Sequence, residues 1–485
     1  MKGQLETALF NPVRAFRVRY LPLLMVYFAY GALGITAIAE TFWVKDKLTL
    51  SPAELAALGV WLTLPWTVKM VFGELVDAVP ILGSQRRAWV YIGAGLNAAG
   101  TLLLWAAAAG HLTEISLETA YKLSAMLFAI GIVVQDVVAD AMSIEVVDRT
   151  GPDGTPRALD DIHRDLGMVQ VLGRLAFSLG AFIVAGLGGL LASVMSYADV
   201  FLIGLVIPAI SITGAMLVRI EPVERRPIDW RILGGGLAFG VFALTIALAD
   251  LSFGQEIVFV VSMAVVIGMV RLVAAELDAE ARRVILFAGT IIFVYRATPG
   301  VGEGFTWFTI DVLGFDERFN GTLAQIGAGL TLLVTWLFSD AITRQPVARV
   351  LLWLTVATTL LEFPGMGLTM GLHQWTEHHF GIGARGIALI DAAATSPFIQ
   401  LSLVPLFTLI AIYAPPGRPA GWFALMASLM SQSLTAGNLL SKYMNTIFVV
   451  DRGNYDQLPV LLGACLAIGL VVPVVTILVL GRKLK

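Results

Sequence analysis

Long apolar segments alternate with short polar ones along nearly the whole chain. A helix that crosses a hydrocarbon core of about 30 Å needs about 20 predominantly apolar residues. Fourteen segments reach that length. They lie at residues 20–43, 54–76, 88–110, 119–147, 166–191, 199–219, 232–250, 255–275, 284–312, 321–340, 347–370, 384–412, 420–449 and 458–480. The pattern predicts an all-α polytopic membrane protein of about 14 spans.

The composition indicates the same class of protein. The chain is 58% hydrophobic and 14% charged, whereas soluble domains average about 45–50% apolar and about 25% charged residues. A net charge of -3 gives no reason to expect a nucleic-acid partner. Because Cys465 is the single cysteine, no internal disulfide can form. We expect the lipid bilayer as a partner, and no nucleic acid, cofactor or metal.

Positive charges are distributed unevenly between the two sides of the expected membrane. With an even number of spans both termini share one side, and that side carries 21 Lys and Arg residues against six on the other. Cytoplasmic loops carry the excess of these residues in membrane proteins. We therefore expect an integral protein of a bacterial inner membrane, with both termini in the cytoplasm.

The spans group into six, two and six. The pair at 232–250 and 255–275 has a very short connection, and removing it leaves the sidedness of the other spans unchanged. The halves echo each other, since their fourth spans contain Asp140-Ala141 and Asp391-Ala392. Two such halves around a substrate site describe the major facilitator fold, here 6+6 helices plus an inserted two-helix hairpin. The expected domains are a cytoplasmic N-terminal segment (1–19), an N-terminal six-helix bundle (20–220), a linker with the hairpin (221–283), a C-terminal six-helix bundle (284–480) and a cytoplasmic tail (481–485).

A charged segment joins the second and third spans. Lys69 lies near the end of the second span, Gly73 permits close helix contact, and Asp77 follows four residues later. A Pro/Gly turn then places Arg86 and Arg87 at the membrane surface. These groups lie too close to the cytoplasmic edge to reach a solute at the midplane. We predict that they form the charge pairs of a gate.

Four charged residues lie at one depth in the first half. At about 1.5 Å per residue, Lys69, Asp136, Asp140 and Arg174 lie roughly 12–18 Å from the cytoplasmic face. The two aspartates share a helix face, so their repulsion favours protonation of one of them. A neighbouring arginine opposes that effect. The residues therefore leave two alternatives open, a structural ion-pair cluster or a proton-coupling site at Asp136 and Asp140.

The ninth span contains a second group of polar residues. Arg296, Gly300, Glu303 and Trp307 follow helical spacing and predict one continuous stripe beside Pro299. An arginine near the midplane with an aromatic ring on the same face suits a planar anionic solute. The alternative is an internal ion pair of Arg296 with Glu362 or Asp391.

Two further polar stripes are expected to face inward. Helix–helix packing explains either one without a ligand. The stripes are Asp391, Thr395, Phe398 and Ser402, and Ser431, Thr435, Asn438 and Lys442.

Three groups of residues in both halves are typical of one transporter family. The first is Pro65-Trp66, Lys69, Gly73, Asp77, Pro80-Ile81, Gly83 and Arg86-Arg87. The second is Pro299, Gly302, Phe308, Leu313-Gly314-Phe315, Phe319 and Gly321. The third is Pro416-Gly417, Phe423-Ala424-Leu425-Met426, Ser428, Tyr443, Asn445, Arg452-Gly453 and Tyr455. With the acidic fourth span, these residues resemble the folate–biopterin transporter family of the major facilitator superfamily.

The resemblance implies a secondary active transporter that takes up folate or related pteridines by alternating access, with protons as the symported ion. It assigns the pteridine ring to Asp140 or Asp391 and the glutamate tail to Arg296 or Arg174, beside Glu303 and Trp307. Gln432 departs from the family, which has asparagine there, and this puts the substrate's identity in doubt. The inserted hairpin is a second departure.

Other functions remain open from the sequence. The same segments also resemble muropeptide permeases and acetyl-CoA transporters, and some relatives carry S-adenosylmethionine. An intramembrane enzyme would need paired aspartate clusters for magnesium, and Asp160-Asp161 is the single candidate. We therefore predict that the protein is not an enzyme. A non-transporting protein on the same scaffold is the remaining alternative.

Overall fold

The computed structural model of the chain describes residues 16–81, 83–84, 86–150, 153–218, 228–249, 251–275, 279–343, 347–401, 406, 410 and 419–481. Ser402 and the Pro416-Gly417 pair lie outside them. The described α-helices of the first part are α1 (Leu21–Ala32), α2 (Ala37–Lys47), α3 (Pro52–Thr67), α4 (Lys69–Ala78), α5 (Arg87–Ala108), α6 (Leu117–Glu145), α7 (Leu159–Val194), α8 (Tyr197–Ile203), α9 (Val206–Met216) and α10 (Trp230–Leu248). Those of the second part are α11 (Gly254–Ala275), α12 (Ala279–Arg296), α13 (Glu303–Asp311), α14 (Glu317–Thr343), α15 (Val347–Leu361), α16 (Phe363–Thr369), α17 (Leu372–Phe380), α18 (Ala384–Leu401), α19 (Pro419–Ile447) and α20 (Leu458–Leu480).

Ten segments of the described residues are long and apolar enough to cross a membrane. They are Val18–Lys47, Pro52–Ala78, Arg87–Ala108, Leu117–Glu145, Met168–Val194, Tyr197–Met216, Trp230–Leu248, Gly254–Arg271, Ala348–Thr369 and Leu458–Leu480. This confirms the predicted all-α membrane class. The other four expected spans coincide with α12–α13, α14, α18 and α19. The total of about 14 spans stays a prediction.

The chain forms two compact units. Unit 1 comprises Met1–Trp43 and Val71–Gly234, and unit 2 comprises Val44–Met70 and Gly235–Lys485. Residues 44–70, which include the end of α2 and all of α3, thus belong to the second unit although the chain on both sides belongs to the first. The expected bundle boundaries at 20–220 and 284–480 stay a prediction.

In unit 1, helices α1 and α7 lie directly against each other. A methyl group added at Gly31 would lie 1.8 Å from the carbonyl oxygen of Phe177, and one added at Gly180 would lie 2.3 Å from that of Phe28. Only glycine fits at such distances, and small residues of this kind let membrane helices approach closely. The two glycines therefore set the spacing at which α1 presents its polar side chains to α7.

The core of unit 2 includes the second helix of the inserted hairpin. Val266 and Val270 of α11 pack with Ile291 and Ile292 of α12 and with Met426 of α19. All five side chains are buried. Dispersion contacts of this density fix the hairpin within the unit.

A polar network connects the hairpin to α19. Lys442 Nζ donates to Gln255 Oε1 and to Glu256 Oε1, each at 2.7 Å. The Tyr443 hydroxyl donates to the same Glu256 oxygen at 2.6 Å. Lys442, a member of one predicted inward stripe, therefore binds side chains of the hairpin.

Helix α3 packs on α19 through small polar side chains. The hydroxyl oxygens of Thr63 and Thr435 are 2.8 Å apart, and Gln432 Nε2 donates to Thr67 Oγ1 at 3.1 Å. A Cβ at Gly59 would lie 3.0 Å from Asn438 Nδ2. Thr435 and Asn438 thus serve helix packing, which is one of the two alternatives for their stripe.

Candidate functional site

Acidic and aromatic side chains lie close to an arginine, Arg174, inside unit 1. Tyr27 and Tyr30 of α1 lie within electrostatic range of Asp136 and Asp140 of α6 and of Arg174 of α7. The Tyr27 hydroxyl is 3.5 Å from Asp140 Oδ1. The structure therefore brings together three of the four charged residues that the sequence placed at one depth. It adds two tyrosines that the sequence did not single out.

We call Tyr27, Tyr30, Asp136, Asp140 and Arg174 the acidic cluster, and part of it is accessible. Asp140 and Arg174 are exposed and Asp136 is half-buried, although all three lie in segments of spanning length. Charged groups are costly in hydrocarbon, so such residues face water-filled cavities or other charges. An accessible carboxylate beside a cation and two hydroxyls can bind a polar solute or exchange a proton with water. Lys69 belongs to unit 2, where its ammonium lies 6.0 Å from the Trp66 ring centroid.

A bridging arginine organises the predicted gate segment. Gly83 has a φ of +76° and closes the turn between α4 and α5. Arg86 then pairs with Asp77 at 2.8 Å and with Glu145, at the end of α6, at 2.6 Å. Arg87 donates to the Tyr91 hydroxyl at 2.8 Å. The segment thus contains the predicted charge pairs and one acid, Glu145, that the sequence did not reveal.

The predicted close helix contact at Gly73 is wrong. A Cβ built at Gly73 would meet no atom within 4 Å. The glycine lies in α4 with open space beside it.

The predicted continuous stripe in the ninth span is also wrong. Helix α12 ends at Arg296 and α13 begins at Glu303, with Gly302 at a φ of +71° between them. Pro299 cannot donate a backbone hydrogen bond and disfavours helix at the residue before it. The helical spacing assumed between Arg296 and Glu303 therefore does not exist.

Side chains of α19 satisfy the backbone of this break. The Gly300 N–H donates to Ser441 Oγ at 2.8 Å, and Asn445 Nδ2 donates to the Val301 carbonyl at 3.2 Å. Non-helical backbone at membrane depth needs such partners or water. The break is thus held by α19 at a defined place in unit 2.

Arg296 is a half-buried cation at the end of α12. Its Nε is buried and has no hydrogen-bond partner, and its guanidinium forms no ion pair, among the residues that the structure describes. The internal pair with Glu362 or Asp391 is therefore absent in this conformation. Glu303, half-buried in the first turn of α13, lies at the other side of the break. A half-buried guanidinium whose Nε has no partner among the described residues can accept an anion.

Asp391 lies beside a second helix break. Helix α15 ends before Glu362, and α16 starts again with Pro364 in its first turn. The two Asp391 carboxylate oxygens lie 3.7 and 3.8 Å from a Cβ built at Gly365, in the first turn of α16. Its Oδ1 is buried without a partner among the described groups. Asp391 therefore lies against the start of α16 and has an oxygen available for a donor.

Trp307 is fully buried, with 0% of its surface exposed. The Arg452 guanidinium lies over its ring, 4.1 Å from the centroid. One ring face is therefore occupied, and stacking of Trp307 on a solute has no support in this conformation. The sequence analysis named Arg452 among the residues of the family resemblance. It gave no indication that Arg452 would contact Trp307.

Solved structures with a similar fold are transporters. A crystal structure of the peptide transporter POT in complex with sulfate matches with a TM-score of 0.63 at 16% identity, over 96% of this chain and 95% of that one. A POT family transporter in complex with 5-aminolevulinic acid matches with a TM-score of 0.64 at 13% identity, over 96% of each chain. These matches establish the major facilitator fold. The fold and the apolar spans define a polytopic membrane protein of the major facilitator fold.

The family of the chain follows from its sequence relatives. The BT1 family model matches residues 31–484. The Folate-biopterin transporter of Synechocystis sp. is 26% identical over 445 residues, covering 91% of this chain and 77% of that protein. The Probable folate-biopterin transporter 4 of Arabidopsis thaliana is 22% identical over 476 residues, covering 92% of each. The chain belongs to the BT1 family.

Proposed function

We propose that the protein carries folate or a related pteridine across the bacterial inner membrane by alternating access, coupled to protons. The observation that carries this proposal is the match to the Synechocystis folate-biopterin transporter along 91% of the chain. The uneven Lys and Arg distribution supports cytoplasmic termini. No described contact favours a muropeptide, an acyl-CoA or S-adenosylmethionine.

The substrate roles follow from complementary chemistry. A pterin ring presents adjacent N–H donors that a carboxylate accepts in pairs, and a glutamate tail needs a cation. Arg296 is our candidate for the tail, because its buried Nε has no partner among the described residues. Asp391 in unit 2, or Asp140 with Arg174 in unit 1, supplies the carboxylate for the ring. Glu303 lines the break next to Arg296.

Proton coupling is assigned to Asp136 and Asp140. The support is their accessible position beside two tyrosine hydroxyls and the Arg174 cation. Loss of a proton from either acid changes the balance of charge around Arg174. Protonation of Asp136 or Asp140 therefore changes the strength of the contacts among α1, α6 and α7.

The cytoplasmic gate is assigned to Lys69, Asp77, Arg86 and Arg87, whereas Gly73 lies in α4 without the close contact expected of it. Arg86 bridges α4, through Asp77, to α6, through Glu145. Because α6 also carries Asp136 and Asp140, a change at the acidic cluster has a direct structural route to this bridge.

Folate counterflow into proteoliposomes tests the substrate assignment. Vesicles loaded with unlabelled folate should accumulate labelled folate, and Arg296→Gln should lower the rate about tenfold or more because a charge-assisted contact is lost. Arg271→Gln removes an exposed arginine of α11 and is the matched control with an unchanged rate. Wild-type counterflow by Arg296→Gln would remove Arg296 from the site. No counterflow by the folded wild-type protein would reject the folate proposal itself.

A further inference from the structure

One arginine of unit 2 holds the end of helix α2. Arg452 donates from Nε to the Lys45 carbonyl at 2.8 Å, from Nη1 to that of Leu50 at 2.9 Å and from Nη2 to that of Val44 at 3.3 Å. The Val44 and Lys45 carbonyls belong to the last turn of α2, the negative end of the helix dipole. The Leu50 carbonyl belongs to the loop that follows. A guanidinium has enough donors to bind all three at once.

The other side of the same guanidinium rests on Trp307. The distance of 4.1 Å to the centroid of the buried ring describes a cation–π contact with a half-buried arginine. Trp307 lies in α13, directly after the break of the ninth span. Arg452 therefore joins the end of α2 to α13 through one side chain.

A second contact joins the same two elements. Lys45 Nζ lies 2.5 Å from Asp311 Oδ1, at the end of α13. The Tyr455 hydroxyl donates to the other Asp311 oxygen at 2.5 Å. Burial, followed by this hydrogen bond, raises the pKa of Tyr455, so the hydroxyl remains a donor at neutral pH. The loop from Asp451 to Tyr455 thus contacts α2 and α13 together.

The shape of that loop is defined. Asp451 and Asn454 exchange backbone hydrogen bonds, and Gly453 between them has a φ of +72°. Because a side chain at Gly453 would be strained at this φ, glycine keeps the turn tight. The turn presents Arg452 and Tyr455 in fixed positions. We call Lys45, Trp307, Asp311, Arg452 and Tyr455 the clasp.

The clasp contacts a segment that belongs to a different unit from the residues on both sides of it. Residues 44–70 belong to unit 2, while Trp43 before them and Val71 after them belong to unit 1. The contacts of the clasp are ionic and polar except for the buried Trp307 ring under Arg452. Water replaces such contacts when they open, whereas an apolar core has no substitute for its lost burial. Contacts of this kind suit an attachment that is made and broken repeatedly.

We propose that the clasp is a latch that holds residues 44–50 on unit 2 in one conformation and releases them once in each transport cycle. Arg452 is its positioning residue, and the proposal rests on the transport function proposed above. The contacting loops lie on the side opposite the termini in the expected topology. The latch therefore controls the non-cytoplasmic end, distant in the chain from the Arg86 bridge.

Cysteine labelling tests the latch without any substrate. In a Cys465→Ser background, a cysteine at Leu48, which is buried in the latched segment, is exposed to a membrane-impermeant maleimide. Arg452→Gln should increase its labelling rate about tenfold or more, because three charge-assisted hydrogen bonds are weakened. Arg385→Gln is the matched control, since Arg385 also pairs with an aspartate and an aromatic ring, Asp316 and Phe319, outside residues 44–50. Equal rates in the parent and Arg452→Gln proteins would overturn the latch.

Cross-linking tests whether the latch must open. Cysteines at Lys45 and Asp311 are joined by a short bifunctional reagent with a reducible bond, and folate counterflow is measured before and after reduction. The expected result is arrest by the cross-link and recovery on reduction. Flux through the cross-linked protein at the reduced rate would overturn the latch. If the Cys465→Ser parent, which keeps Lys45 and Asp311, carries no folate at all, the folate proposal fails, and the labelling result still decides the latch.

Discussion

Arg86 shows what a sequence reveals about one residue and what it conceals. Its position after a Pro/Gly turn and its pairing with Asp77 follow from local spacing, because the turn returns the chain on itself within nine residues. Glu145 is 59 positions away in sequence, so no local pattern predicts it. Tyr27 beside Asp140 and Arg452 over Trp307 were hidden for the same reason. Charged residues in spans are recognisable one by one, whereas their partners depend on the tertiary fold.

At this scale we predict the cost of losing the Arg86 bridge. Arg86→Gln should lower the free energy of unfolding by about 1.5–3 kcal/mol, because two carboxylates lose a charge-assisted partner. Arg87→Gln loses one hydrogen bond to Tyr91 and should lower it by about 1 kcal/mol or less. Chemical unfolding of both purified variants in detergent measures the difference. Equal stability of the two variants would show that the bridge to Asp77 and Glu145 contributes little.

Helix breaks are the features of single elements that the sequence predicted least well. Pro299 indicates a disturbed helix, yet the spacing from Arg296 to Trp307 is compatible with a continuous one. The positive φ of Gly302 shows that the helix is broken at this point. Ser441 and Asn445 of α19 bind the backbone groups of Gly300 and Val301 within the break. Those partners lie more than 140 positions away. The elements were therefore found, but the break that places Arg296 was not.

The break makes Ser441 a test residue. Ser441→Ala should lower the free energy of unfolding by about 0.5–1.5 kcal/mol, because the Gly300 N–H then loses its acceptor, the Ser441 hydroxyl. Thr446→Ala is the matched control on the same helix, since its hydroxyl bonds only the exposed carbonyl of Lys442 four residues before. We expect a change within about 0.5 kcal/mol there. Unfolding curves in which both variants match the wild type would contradict the assigned role of α19.

At the scale of the molecule, hydropathy predicted the all-helical membrane class. The charge count places Lys45 and Arg452 among the six Lys and Arg residues opposite the termini, and this sidedness stays a prediction. The loops that follow α2 and α19, which contain or adjoin these residues, are in contact. The membership of residues 44–70 in unit 2 was not predictable. It depends on contacts of α3 with α19 and on the clasp, which no repeat or periodicity encodes.

The attachment of the inserted hairpin is open to a direct test. Glu256→Gln should lower the free energy of unfolding by about 1–3 kcal/mol, because Lys442 keeps its charge and loses its ionic partner. The double variant Glu256→Gln with Lys442→Met should be less destabilised than the sum of its single variants, since no unpaired charge remains. Strict additivity in this double-mutant cycle would show that the two side chains do not interact.

The most direct test of the central claim is uptake of labelled folate into proteoliposomes with and without an imposed inward proton gradient. The proposal of a proton-coupled pteridine carrier predicts uptake that the gradient accelerates, and Asp140→Asn should lose that acceleration. Glu114→Gln, which alters an exposed acid of the same unit, should behave as the wild type. Folate uptake that is identical with and without the gradient would contradict coupling at Asp140, and no uptake by the folded protein would contradict the folate assignment.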